Sequence, residues 1–213
     1  MRTIDIRGIT NMELVRGGTS ELYWATDYVH GDLYEAEELF RQKNSVQSNR
    51  LYLIHYPDGM VYEPVLPVDG QYLGYPVFDG ESVVLLVVNF TESAIHILRF
   101  LHQQEKTQEV VRLPLSAVKD CYNLILHPSP LSLTRQPNDG TFEIIWPEQI
   151  RFAISSRETL NFRDGDKLYF SIWYEDPDYR EETLVRSAQD GTILERFSGD
   201  IRIMPNRERW LIK

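Results

Sequence analysis

Cysteine is almost missing from this chain: Cys121 stands alone. A single thiol excludes a disulfide framework and paired-thiolate metal sites. Cys121 heads an apolar stretch and reads as a small buried hydrophobe, not a nucleophile. Long hydrophobic runs are missing too. The longest is "VVLLVV" at residues 83–88, against roughly 20 apolar residues needed to cross a bilayer as a helix. The opening "MRTIDIRGIT" lacks the apolar core of roughly 7–15 residues that marks a signal peptide. The expectation is a soluble, cytoplasmic chain with no membrane partner.

Positive charge is also scarce. Lys and Arg number 22 against 32 Asp and Glu, giving a net charge of −10 with no basic cluster. Nucleic acid requires a basic footprint, so no nucleic-acid partner is expected. Motifs that name a reaction are missing as well. There is no GxxxxGK[ST] or GxGxxG phosphate loop, no HExxH, no GxSxG elbow and no EF-hand loop. No cofactor and no metal site is expected from local sequence.

What is abundant is the strand and the turn. Short runs rich in Val, Ile, Leu, Tyr, Phe and Trp recur, bounded by Gly, Pro, Asp or Asn. Six of the twelve glycines follow an aspartate, at Gly59, Gly70, Gly80, Gly140, Gly165 and Gly191. Three of these pairs sit inside evident hairpins: "LYLIHYP-DG-MVYEPV", "LSLTRQPN-DG-TFEIIW" and "TLVRSAQ-DG-TILERF". The pattern predicts two-residue type I′ turns, in which both central residues need positive φ. A fourth hairpin, "AIHILRFLHQQEKTQEVVRLPL", turns without glycine.

Upstream of each hairpin lies a more apolar run: 21–28, 82–90, 121–127 and 167–174. Apolar residues there fall on both faces, as in strands buried from both sides. A unit of about 40–50 residues, with one doubly buried strand and an outer hairpin, has the form of a β-propeller blade. The expected fold is all-β and small, a β-propeller-like repeat of about four antiparallel blades. The units are 21–66, 73–116, 120–165 and 167–213, in a single domain after an extended lead-in at 1–20. Ring closure is expected from the lead-in near residues 4–9 or from "RWLI" at 209–212. The rival architecture is a β-sandwich or jelly roll. One helix competes: "GDLYEAEELFRQ" offers Asp32 as N-cap and Glu35 as its reciprocal partner.

The ends of the inner strands supply the candidate ligand-binding residues. They are Asp27, His30 and Asp32 in the first unit, Asn89 in the second, His127 in the third, and Glu175 and Asp176 in the fourth. In a propeller these exits converge on one mouth of a central channel, a polar, acidic pocket suited to a divalent cation or a small polar, hydroxyl-rich ligand. His55 and His96 lie within strands, and His102 beside a polar turn. Trp24, Trp146, Trp173 and Trp210 each occupy a different strand region and read as core packing. No catalytic residue is assigned. The expected function is a non-catalytic module that binds a protein partner or small polar ligand. The alternative is a hydrolase acting on carbohydrate through paired carboxylates at the inner-strand exits.

Overall fold

The computed structural model describes residues 1–18, 21–204 and 208–213. Thr19 and Ser20, the end of the lead-in, fall outside that description. Two compact units divide the chain, Met1–Pro128 and Ser129–Lys213.

In the first unit, one antiparallel sheet runs Glu13–Leu14, Leu22–Thr26, Leu51–His55, Val61–Tyr62 in spatial order. A second runs Gln71–Leu73, Val83–Asn89, Ala94–Leu101, Lys106–Pro114, with Val77–Phe78 also pairing to Val83–Asn89. The run at 83–88 is buried throughout. Its unbroken apolar character has this cause: both faces of the strand are covered, so no position needs a polar residue. Leu85, Val87 and Val83 join Trp24, Leu53 and Phe100 in one cluster. Lys106–Pro114, at the sheet's far side, is mostly exposed and correspondingly polar.

The second unit repeats the same order. Leu131–Arg135, Thr141–Trp146 and Ile150–Ala153 lie side by side. A four-stranded sheet follows: Glu158–Asp164, Lys167–Tyr174, Arg180–Ser187, Ile193–Ser198. Phe142, Ile144, Leu168, Phe170 and Leu184 form its core, with Phe142 edge-on to Phe170 at 5.2 Å. Strands adjacent in sequence are adjacent in space. That up-and-down order belongs to propeller blades and differs from the sheet-to-sheet crossings of a Greek-key sandwich. The chain is all-β and β-propeller-like in its repeat.

Two expectations need correction. The hairpin turns are not type I′. Gly59, Gly140 and Gly191 have φ of 73°, 76° and 74°, but the aspartates before them are not among the positive-φ residues. Each loop at 59 and 191 spans four residues, closed by His55 N–H to Met60 O and Ser187 N–H to Thr192 O at 2.9 and 2.8 Å. The aspartate serves through its side chain. Asp58 Oδ1 accepts the Met60 N–H at 3.0 Å and Asp190 Oδ1 the Thr192 N–H at 2.9 Å, the Asx-turn use of that residue. The second correction concerns Arg209–Ile212, which pairs with Asp200–Ile203, so its partner is the strand just before it. The lead-in is anchored as well: Ile6 is buried against Ala25, Tyr52 and Ile54.

The one α-helix among the described residues, Leu33–Arg41, carries the expected capping box. Asp32 Oδ1 accepts the Glu35 N–H at 2.9 Å, and Glu35 Oε2 accepts the Asp32 N–H at 2.8 Å. Leu33 and Ala36 are buried, and Phe40 stacks on Phe90 at 5.4 Å. Among the described residues, no helix is long and apolar enough to cross a membrane.

Candidate functional site

The first unit holds an open cleft of about 410 Å³ where the lead-in passes the exit of strand Leu22–Thr26. Pairing builds its floor. Glu13 lies opposite Trp24, which puts both side chains on one face of the sheet. Thr26 is two residues on, on the same face, and lines the cleft with Asp27 and Tyr28. Arg7, Thr10 and Asn11 from the lead-in line it as well.

Aromatic rings cluster here. Trp24 is buried and contacts the half-exposed Tyr75 at 5.2 Å between centroids. Tyr75 is near enough to add to the shift of the Tyr28 hydroxyl, and Tyr28 is 42% exposed. Partial burial and then the charge of neighbouring groups push the Tyr28 hydroxyl up to about 12, so it stays a proton donor at any ordinary pH.

Left-handed backbone occurs here, as it does elsewhere at Lys43, Ser93, Glu105 and Asn123. Tyr28 has φ 48° and Arg7 φ 54°. A bulky residue in the left-handed region costs on the order of 1–2 kcal/mol and persists only where its surroundings fix it. They do so here: the Tyr28 carbonyl accepts the Gly31 N–H at 2.9 Å, and the Asp27 carboxylate accepts the Arg50 N–H at 3.1 Å. Arg7 N–H donates to Asp5 Oδ1 at 2.9 Å. Strain of this kind gathers at functional sites.

The residues singled out from sequence take separate places. Asp27 lines the cleft. His30 Nε2 accepts the Gln47 N–H at 3.0 Å, which puts the proton of the neutral ring on Nδ1. Asp32 caps the helix. Tyr72 sits beside these groups, its hydroxyl donating to the Gly31 carbonyl at 2.7 Å and raised to about 12, chiefly by burial, with Asp27, Asp32 and Glu35 adding to the shift. Asn89 Oδ1 accepts the Glu92 N–H at 2.9 Å and holds a turn. His127 is buried, and desolvation, followed by the Arg16 charge, lowers it to about 3. In the second unit Glu175 and Asp176 are exposed beyond Tyr174. Among the described residues no group of three or more His, Cys, Asp or Glu is placed to hold a metal ion.

Cys121 is buried and its thiol is pushed up by desolvation and the nearby Glu37, so it is unreactive. The core reading of the tryptophans holds for Trp24 only in part of the set: Trp173 and Trp210 are 48% and 51% exposed. Sequence reasoning missed Tyr28, Tyr75, Glu13 and Arg7. The one available signal was the run of aromatic and polar residues around Trp24.

No family model matches the chain, and no curated protein matches it. Among solved structures, a candidate 6-phosphogluconolactonase from Bacteroides uniformis aligns over 93% of this chain and 78% of its own, at 10% identity and a TM-score of 0.38. A likeness so distant carries no argument. The class of protein rests on the sheets themselves, which are β-propeller-like, and the site must be read from its own residues.

Proposed function

We propose that the chain is a non-catalytic β-propeller-like binding module whose first-unit cleft takes a neutral, hydroxyl-rich ligand of the saccharide class. The observation that carries this reading is the half-exposed Tyr28, held in left-handed backbone at the wall of a cleft that Trp24 also lines. A pyranose has apolar C–H faces that rest on aromatic rings and a rim of hydroxyls that need both donors and acceptors. Arg7, Glu13, Asn11 and Asp27 supply both. Two carboxylates against one guanidinium disfavour an anionic ligand, in keeping with a chain of net charge −10.

The test is calorimetric titration with cello-, xylo-, malto- and chito-oligosaccharides. At least one binds, and Tyr28→Ala weakens it tenfold or more while Tyr28→Phe retains most affinity. Failure of every sugar to bind, or binding indifferent to Tyr28→Ala, overturns the reading. A second reading, hydrolysis, draws on Glu13 and Asp27 opening into one cleft. It requires reducing ends to be released from the bound sugar, and Glu13→Gln to stop release without stopping binding.

A further inference from the structure

The second unit contains a smaller cleft of about 240 Å³ that the reading above does not use. Cross-strand pairing assembles it. Ser171 and Trp173 are two residues apart on one strand, and Trp173 lies opposite Glu181, so the three side chains share a face. Tyr179 forms a wall, 69% exposed, with its hydroxyl donating to Glu181 Oε1 at 2.6 Å. Asp200, only 5% exposed, lines the same cleft and accepts the Ser171 hydroxyl at 3.1 Å. Its other oxygen is paired with Arg202, whose own side chain is 67% exposed.

Two half-open aromatic walls with two carboxylates between them describe a receptor for a flat organic cation. A guanidinium stacks on aromatic faces and matches a carboxylate fork with two parallel donors, whereas an ammonium does only the first as a point charge. This unit already uses both contacts internally. The Arg180 guanidinium lies 3.9 Å from the Tyr174 ring centroid, and Arg186 meets both oxygens of Glu158 at 2.7 and 2.9 Å.

We propose that the Trp173–Tyr179–Glu181–Asp200 cleft binds an arginine side chain presented by a partner peptide, and that Arg202 is an internal stand-in which this arginine displaces from Asp200. The cleft volume suits one side chain, not a folded domain. An acidic chain draws a basic peptide toward it at a distance and repels anionic ligands. Arg202 is held by a single carboxylate and its own side chain is 67% exposed, so it can be exchanged for an incoming guanidinium that keeps the buried Asp200 paired.

The experiment is titration of the full chain with acetyl-Gly-Arg-Gly-amide, its lysine and citrulline counterparts, and choline. The arginine peptide binds, the lysine peptide binds several-fold more weakly, and the uncharged citrulline peptide does not bind. Trp173→Ala and Glu181→Gln each weaken the arginine peptide about tenfold. Both side chains border the open cleft, so these variants keep the fold, and an unchanged melting temperature checks it. Arg202→Ala tightens binding several-fold, because it removes the competitor. Tyr28→Ala leaves binding unchanged, which separates this site from the first-unit cleft. Equal binding of the citrulline peptide, tighter binding of choline, or weaker binding on Arg202→Ala with an unchanged melting temperature overturns the proposal.

Discussion

The two units handle buried charge in different ways. Met1–Pro128 centres on a strand whose six residues at 83–88 are all apolar and all buried. Ser129–Lys213 buries guanidinium groups instead: the Arg135 side chain is 1% exposed beside Glu143, Arg163 7% beside Glu148, and Arg186 11% beside Glu158. The first unit is held at its centre by a non-directional effect, with the buried carboxylates of Glu37 and Asp79 paired to the more exposed Arg41 and Arg99. The second is held partly by pairs with fixed geometry, which discriminate between registers but fail badly when halved. The candidate ligands follow the same division. A cleft of rings and mixed polar groups suits a neutral sugar, and a cleft of rings and carboxylates suits an arginine.

The sharpest way to break this contrast is at Glu158. Its carboxylate is 3% exposed, takes two bonds from Arg186, and also accepts the Ser155 N–H at 2.8 Å. Glu158→Gln leaves the Arg186 guanidinium without its countercharge and should cost about 3–5 kcal/mol in urea unfolding. The double variant Glu158→Leu, Arg186→Met gives this site the apolar chemistry of the first unit. It should recover most of that loss, since replacing a buried pair entirely is often neutral. A double variant as unstable as the single would show that the pair is required for folding and is not merely costly to halve.

Next in size is a pH effect confined to the first unit. His127 is buried there with its pKa lowered to about 3, while an unfolded histidine titrates near about 6.5. The folded ring stays neutral. Below pH of about 6.5 the unfolded chain gains a proton that the fold refuses, so stability falls as pH falls, with a slope approaching about 1.4 kcal/mol per pH unit. Above that pH the group contributes no slope. His127→Gln should flatten the unfolding free energy between pH 6.5 and 4.5 relative to the parent. Parallel curves for the two proteins would mean that His127 takes up its proton in the native state.

Local rules were legible in the sequence, and long-range meetings were not. The Asp32–Glu35 capping box was readable because both partners sit within one turn of each other. The six Asp-Gly pairs announced turns and, with the apolar runs, the meander sheets. The turn class was misjudged because the dipeptide alone cannot separate an aspartate with positive φ from one that accepts the N–H two residues on. Of the first-unit cleft, Asp27 was in view as a candidate and Trp24 only as core. Tyr75 meets Trp24 across a long stretch of sequence, and Glu13 reaches Trp24 across a lead-in that carried no motif. The left-handed backbone at Tyr28 has no signature at all, since tyrosine is among the residues least expected there. The arginine cleft was hidden for a similar reason. Trp173 read as core, and Asp200 gained meaning only from the strand beside Ser171.

The smallest effect asks what those Asp-Gly pairs contribute beyond a backbone angle. Gly191 and Gly165 both have positive φ, 74° and 56°. A Cβ on Gly165 would meet nothing within 4 Å, whereas one on Gly191 would lie 2.2 Å from Cγ of Phe152. Phe152 is wedged against Phe142 and Phe170 at 5.3 and 6.4 Å, so it has little room to withdraw. Gly165→Ala should therefore cost only the left-handed penalty, about 1 kcal/mol. Gly191→Ala should cost at least about twice as much, because repacking around an overfilled position adds roughly 1–3 kcal/mol. Equal losses would mean that the Phe152 ring yields freely and that the glycine is there for φ alone. Unequal losses would mean that the turn also lets the hairpin lie directly on the aromatic core. In that case the recurring dipeptide does two jobs: aspartate fixes the turn from outside, and glycine allows the close approach within.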